Sequence, residues 1–320
     1  MGLRMLFEMD DVDRWQEQHP NVAIVLAGRP EAESDSRAVE ADCRRSGTCC
    51  PRDNRGMSDS RDALRGTFNT AAATYEAARP SYPSELFDDL VEIAGLQHGD
   101  RLLEIGCATG KATRPLLERG FAIVCVELGE QLAAQARDNL AGLPVEISVA
   151  PFEAWKGQPG SFDLVYAANS WHWLDPVIRY RKAHQLLRPN GHLAFWGASH
   201  AFPSDFDPFF TEIQQVYDAL GENFAGEWPP PAPEQVPDAR EQIEASGLFD
   251  HVTVRRYVWA KTYSAEEYIA LLNTFSGHIS MDESKRSRLY QEIRERISRR
   301  DVQQVRRHWQ ATLQVAHRAA

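Results

Sequence analysis

The chain has 320 residues, 43% of them hydrophobic and 25% charged, with a formal net charge of −11. That size and balance bury a sizeable core, as one large domain or two small ones, and the negative charge argues against a broad nucleic-acid footprint. No apolar run approaches the ~20 residues that span a bilayer, and the start, MGLRMLFEMDD, lacks the basic flank and long apolar core of a secretory signal, so a cytoplasmic protein with no membrane partner is expected.

In chain order, residues 1–60 are polar apart from Val22–Leu26 and have no sustained period, which predicts a largely disordered N-terminal extension. Met1 and Met57 are both candidate starts, Met57 because organised sequence begins just after it. Of the five cysteines, Cys43, Cys49 and Cys50 lie close together with no His or further Cys at zinc spacing, so no metal site is expected. Phe68, Ala71, Ala72 and Tyr75 have helical spacing, and Arg79-Pro80-Ser81-Tyr82-Pro83 sets an extended elbow. Leu86–Leu96 repeats apolar residues at three and four, the pattern of an amphipathic helix against a sheet.

The organising stretch is Arg101–Arg114, RLLEIGCATGKATR. Leu102–Ile105 has the length and composition of a buried central strand. Small residues from Gly106 to Gly110 let the backbone turn tightly against a ligand, and Lys111–Leu117 opens a helix. A phosphate-binding loop fails here: Gly106 and Gly110 are separated by three residues rather than four, and Ala112 has no hydroxyl for a magnesium ion. A dinucleotide fingerprint fits poorly, since its third glycine is Lys111. What remains is an acidic-x-Gly-x-Gly-x-Gly pattern, with Ala108 at the middle glycine.

Ala122–Val126 predicts a second strand ending at Glu127, 21 residues after Gly106, where an acid can hold both hydroxyls of a ribose. Val145–Val149, Ser161–Tyr166 and Gly191–Trp196 predict three more strands, with a helix over Val177–Leu187. Strands alternating with helices imply a parallel sheet whose ligand sits at the strand C-termini. Further on, Phe206–Leu220 reads as an aromatic-rich helix and Trp228–Pro233 as a stiff linker. Val252–Trp259 alternates like an edge strand. Ala265–Phe275 and Ser284–Ile297 read as helices, and Val305–His317 as a last strand that also has helical potential. The ten Lys/Arg against three Asp/Glu between Ser284 and Ala320 read as a solvated helix face.

The set EIGCATGKAT, VCVELG, PFEAW, SFDLVYAANSWHWLDP and LLRPNGHLAFW resembles a class I S-adenosylmethionine (SAM)-dependent methyltransferase over about Phe68–Trp196. FNTAAATYEAARPSYP and AANSWHWLDP further resemble its trans-aconitate-methyltransferase-like, small-molecule branch. The resemblance implies an α/β, Rossmann-like, doubly wound and mostly parallel seven-stranded sheet, its last two strands a hairpin pair at one edge, under a helical lid. It divides the chain into an extension at 1–60, a SAM-binding core at 61–200 and a C-terminal part at 201–320 carrying the lid and the last two strands. It implies a SAM site made by Glu104, Gly106, Ala108, Gly110, Glu127, Leu128, Phe152, Glu153 and Asn169, with Leu128 and the Phe152 amide on the adenine. Pro151 departs from the acid that many members place against adenine, and Glu153 is the substitute. Tyr75, Arg79, Tyr82 and Trp173 are the expected acceptor-side residues, and Arg79 can pair with a carboxylate. His172, just after the fourth strand, is the expected general base or acceptor-positioning donor. The expected activity is methyl transfer to a small, carboxylate-bearing or aromatic metabolite. A non-catalytic SAM-binding adaptor is the alternative, and an NAD-dependent oxidoreductase is disfavoured by Lys111.

Overall fold

The computed structural model describes residues 78–222, 228 and 230–320. The expected extension at 1–60, the candidate starts Met1 and Met57 and the Phe68–Tyr75 stretch lie outside the described residues, as does part of the Trp228–Pro233 linker. Among the described residues no helix is long and apolar enough to cross a membrane.

Helix α1 (Ser84–Ile93) follows the proline elbow and buries Leu86, Phe87 and Leu90 as one stripe. Strands β1 (Arg101–Ile105) and β2 (Ala122–Glu127) flank the short helix α2 (Thr113–Glu118). Helix α3 (Glu130–Asn139) leads to β3 (Val145–Val149), and β4 (Phe162–Ala168) is joined by α4 (Arg179–Leu186) to β5 (Leu187–Ala201). After α5 (Phe209–Ala219) and α6 (Arg240–Ala245) comes β6 (Phe249–Tyr263), then α7 (Ala265–Leu272), α8 (Ser276–Ser280), α9 (Glu283–Ser298) and β7 (Val305–Arg318). The seven strands form one sheet in the order β3-β2-β1-β4-β5-β7-β6. The first five strands run parallel, and β7 is antiparallel to both β5 and β6.

β1 is buried on both faces, which is why it reads as an unbroken apolar run. Its side chains alternate between two layers. Leu102 packs with Leu86 and Leu90 of α1 and Leu116 of α2, whereas Leu103 and Ile105 pack with Ala183 and Leu186 of α4. Glu104 stands in register with Cys125 of β2 and Tyr166 of β4. That alignment brings the side chains of three sequence-distant residues onto one face.

The last strands differ from their sequence reading in extent. β5 and β6 each run 15 residues, well beyond Gly191–Trp196 and Val252–Trp259. β7 is a strand despite its helical potential, because β5 and β6 offer it ladder partners along both edges. The long ends of these strands carry a helical cap. Phe209 and Ile213 of α5, Leu271 of α7, and Leu289 and Ile293 of α9 pack there against Tyr263 and Trp309. The region between β6 and β7 holds three helices rather than two: Phe275 is extended (φ −97°, ψ 132°) and separates α8 from α7. Ser264 and Glu267 close a capping box at the start of α7, and Asp282 caps α9 through the Ser284 and Lys285 amides.

One carboxylate ties the cap together. Asp207, 8% exposed, accepts from the Phe209 amide (3.0 Å), from Arg300 Nη2 through both oxygens (2.8 and 2.9 Å), and from the Arg306 amide (3.0 Å). It thus joins the start of α5, the end of α9 and the entry to β7. Asp207→Ala leaves the guanidinium and two amides without this acceptor, and is expected to lower the unfolding free energy by about 2–4 kcal/mol. Urea titration of both proteins checks this, and a change under about 0.5 kcal/mol, the range of an ordinary surface substitution, removes Asp207 as the tie.

Candidate functional site

At the C-terminal end of β1 the backbone turns through three left-handed residues: Gly106 (φ 71°), Ala108 (φ 48°) and Gly110 (φ 89°). Glycine is required at the first for two reasons. Its φ is positive, and a Cβ there would lie 2.6 Å from Ser170 Cβ. The Gly106 amide still donates to the Val126 carbonyl (2.8 Å), so the turn begins in register with β2. Ala108 takes the same left-handed conformation with a side chain, which costs about 1–2 kcal/mol. Its amide donates to Glu127 Oε2 (2.9 Å), while Glu127 Oε1 accepts from the Gly129 amide (2.8 Å). The Glu127 carboxylate, at the end of β2, therefore joins the glycine-rich turn to the turn that follows its own strand.

Arg79, Tyr82, Glu104, Gly106, Ala108 and Asn169 share one cavity above this loop, and Ala198 of β5 and Trp309 of β7 line it as well. Asn169 sits at φ 57°, beyond the end of β4. Its Nδ2 donates to the Tyr82 hydroxyl (2.7 Å) and its Oδ1 accepts from the Ala198 amide (2.6 Å). Asn169 thereby fixes the elbow to β5. Arg79 reaches the cap: Nε donates to Thr274 Oγ1 (2.9 Å), Nη2 to the Thr274 carbonyl (3.2 Å), and the guanidinium lies 4.1 Å from the centre of the Phe275 ring.

The remaining expected residues are placed elsewhere. Leu128 is 38% exposed beside Glu127. The Phe152 side chain is buried in the layer under α4, leaving its backbone as the part of Phe152 that can meet a ligand. The Glu153 carboxylate accepts from the Asp175 amide (3.1 Å) and lines a separate surface groove. His172 and Trp173 lie on a 3-10 turn, Trp171–Trp173, their rings 5.3 Å apart, and neither lines the cavity. A Cβ at Gly110 would meet Leu140 of the sheet layer, so that glycine serves the loop's packing. Tyr75 lies outside the described residues. Sequence reasoning gave no site role to Ala198 and Trp309, and it weighed Thr109 and Lys111, also in the cavity wall, only as loop residues. Among the described residues no group of three or more His, Cys, Asp or Glu is placed to hold a metal ion.

Glu104 is the electrostatic outlier of the site. Its Oε2 accepts from Thr113 Oγ1 (2.6 Å) and the Tyr166 hydroxyl (2.7 Å), with Cys125 Sγ at 3.9 Å. Burial nevertheless pushes its carboxyl up to about 7, and the negative charge of Glu127 adds to that, while the hydrogen bonds oppose it. The Cys107 thiol is pushed well above its usual value by its hydrogen bond to Cys125 and by burial, so it packs rather than reacts. A carboxyl raised on folding binds more protons in the native state. Its contribution to stability is therefore present below the unfolded value near 4.5 and is lost as pH rises through about 7. Glu104→Gln is expected to remove a loss on the order of 3 kcal/mol between those limits. Denaturant midpoints from pH 4.5 to 8 check this, and equal pH slopes in the two proteins would show that Glu104 does not carry the proton.

Residues 103–195 match a family described as a methyltransferase domain. An uncharacterized methyltransferase of Mycobacterium tuberculosis is 35% identical over 138 residues, 43% of this chain and 54% of its own length. The malonyl-[acyl-carrier protein] O-methyltransferase of Geobacter sulfurreducens is 34% identical over 142 residues, 42% of this chain and 52% of its own. The chain thus spans about half the length of these curated relatives. The solved structure of a candidate type II methyltransferase from Anaeromyxobacter dehalogenans shares the fold, with a TM-score of 0.54 at 22% identity, covering 75% of this chain and 97% of that one. The segment 103–195, which holds the left-handed loop after β1 and the parallel strands on either side of it, is thus the part of the chain that is similar to methyltransferase domains.

Proposed function

We propose that the chain is a SAM-dependent methyltransferase acting on a small-molecule acceptor. The observation that carries this reading is the tie from Glu127 to the amide of Ala108, a residue of the loop that lines the cavity. The residues fit the cofactor in three ways. Gly106 and Ala108 bring bare backbone to the cavity wall. A carboxylate has about four acceptor positions, so Glu127 can take ribose hydroxyls as well as its two amides. Leu128 beside it presents an exposed apolar face for adenine. When bound, SAM supplies an electrophilic methyl group already activated by the sulfonium charge. The protein's part is then to align the acceptor and exclude water.

For the acceptor, the reading is a planar or aromatic metabolite that carries a carboxylate. Arg79 and Trp309 both line the cavity. The Arg307 guanidinium lies 4.4 Å from the Trp309 ring and 5.3 Å from that of Phe275, whose ring Arg79 also faces. Of these groups Arg79 and Trp309 line the cavity, and a guanidinium beside an indole there favours an anionic, flat ligand. This agrees with a place in the trans-aconitate-methyltransferase-like branch. We assign His172, three residues beyond the cavity residue Asn169, to the acceptor side as base or positioning group. The core at 61–200 would hold the cofactor, and the part at 201–320 would close over the acceptor.

Incubation with methyl-labelled SAM and a metabolite extract, followed by mass spectrometry, tests the reading: a labelled small molecule is expected, and SAM binding without a labelled product would leave only the adaptor role. Glu127→Ala is expected to weaken SAM binding by about 1.5–3 kcal/mol in calorimetry, and unchanged affinity would take the ribose away from Glu127. If His172 is the base, both His172→Ala and His172→Gln should lose turnover by roughly 10²–10⁴ with SAM affinity intact. Wild-type turnover in the Gln variant, whose amide can still hydrogen-bond but takes no proton at neutral pH, would exclude that role.

A further inference from the structure

Lys182 lies on α4, a helix with no residue in the cavity wall. Its ammonium has three N–H donors, and three backbone carbonyls of one turn receive them: Phe152 (2.5 Å), Glu153 (3.0 Å) and Trp155 (2.5 Å). The Phe152 ring lies beneath it, 5.0 Å from Nζ. A single side chain thus gathers the carbonyl oxygens of residues 152, 153 and 155, whose partial negative charges would otherwise repel one another.

That turn follows β3 directly, and the Ala150 amide donates to the Glu127 carbonyl (3.0 Å). It therefore stands beside the end of β2. Within it the Pro151 carbonyl points inward and accepts from the Ala154 and Trp155 amides, both at 3.0 Å. A trans peptide is planar, so the Phe152 N–H points opposite to the Pro151 carbonyl and leaves the turn on its outer side. The direction of that N–H follows from the fold of the turn, which Lys182 ties through three carbonyls in addition to the turn's own amide bonds. Glu153 adds a second tie, through its carboxylate on the Asp175 amide.

We propose that Lys182 is a positioning residue for adenine recognition: it holds the 151–155 turn in the one shape that aims the Phe152 amide at the ring. The inference rests on the SAM reading above, which puts adenine against Leu128 and that amide. Lys182 acts through the backbone and touches neither cofactor nor acceptor. It therefore governs cofactor affinity and base discrimination, and leaves the chemical step alone. It also explains how a chain with Pro151 at this turn can still select adenine: the selection comes from an amide aimed by a lysine rather than from a carboxylate.

Titration calorimetry with S-adenosylhomocysteine and with S-inosylhomocysteine, whose ring presents a donor where adenine presents an acceptor, tests the proposal. Wild type should prefer the adenosyl ligand. Lys182→Met should bind it at least tenfold more weakly, approach equal affinity for the two ligands, raise KM for SAM by the same factor and keep kcat within twofold at saturating SAM. Lys182→Arg should recover most of the affinity and Lys182→Gln part of it, which keeps the test open should the Met variant not fold. A lowered Tm with unchanged affinity and discrimination in the variants would make Lys182 a structural tie only and overturn the proposal. Failure of the wild-type protein to bind S-adenosylhomocysteine would instead overturn the SAM reading beneath it.

Discussion

Two amides, Ala108 N–H and Gly129 N–H, converge on the Glu127 carboxylate, and the upper edge of the sheet takes its shape from that convergence. Parallel strands end with their carbonyls and side chains facing the same crevice, so the chain must turn back sharply after each one. After β1 it does so with three left-handed residues, one of which, Ala108, has a Cβ and is strained. The strain is about 1–2 kcal/mol, and an amide-to-carboxylate hydrogen bond contributes about 1.5–3 kcal/mol. The bond to Glu127 therefore outweighs the strain, and Ala108 is tolerated where glycine is the usual choice. The same bond fixes the loop before any ligand arrives, so little ordering remains to be done on binding.

The second constraint comes from the opposite half of the chain. β7 enters the sheet antiparallel, between β5 and β6, and the three strands project together past the rest. An unsupported projection of that length would expose Trp309, Tyr263 and the apolar ends of β5. Helices α5, α7 and α9 bury them instead. Trp309 is consequently both a core residue of the cap, with its indole N–H on the Tyr263 hydroxyl (3.1 Å), and a wall of the cavity. Arg79 links that cap to the proline elbow through Thr274, and Asn169 links the elbow to β5. Cap, elbow and sheet are thus coupled by hydrogen bonds that all pass beside one cavity.

This division explains what the residues reveal on their own. The strand–loop–strand unit from Leu102 to Glu127 is legible because its signals are local: unbroken apolar runs, glycines at fixed spacing, and an acid at a strand end. Trp309 and Ala198 are not legible as cavity residues, because only strand pairing brings them there: β4 with β5 for Ala198, and β5 with β7, across more than a hundred residues, for Trp309. His172 is legible only through its closeness to the end of β4: it stands on a 3-10 turn whose Trp171 stacks on Phe195 (4.9 Å) in the core, and it does not line the cavity. Glu153, expected near adenine as the substitute for the acid absent at Pro151, also accepts from the Asp175 amide, a partner that only the return of the chain after β4 supplies. Lys182 carries no sequence signal at all, since a lysine on an exposed helix edge looks like solvation until three carbonyls are seen around it.

The two acids on the strands either side of the loop, Glu104 on β1 and Glu127 on β2, differ in what they contribute to stability. Glu127 meets backbone amides at the end of β2, donors that the turn would otherwise leave without partners, so its charge stabilises the fold it sits in. Glu104 is different. It stands mid-sheet, in register with Cys125 and Tyr166, on the face that otherwise packs Leu102 and Leu164. Its hydroxyl partners, Thr113 and Tyr166, do not offset the cost of burying a second negative charge near Glu127, and the carboxyl is raised to about 7 in consequence. A sheet selected for packing alone would place an apolar residue or an amide there, at a gain in stability near neutral pH. Glu104 also lines the cavity. An acid poised near neutrality beneath a loop of bare backbone is where a cationic ligand would gain most from a nearby carboxylate, since the ligand's charge favours the ionised form that burial disfavours.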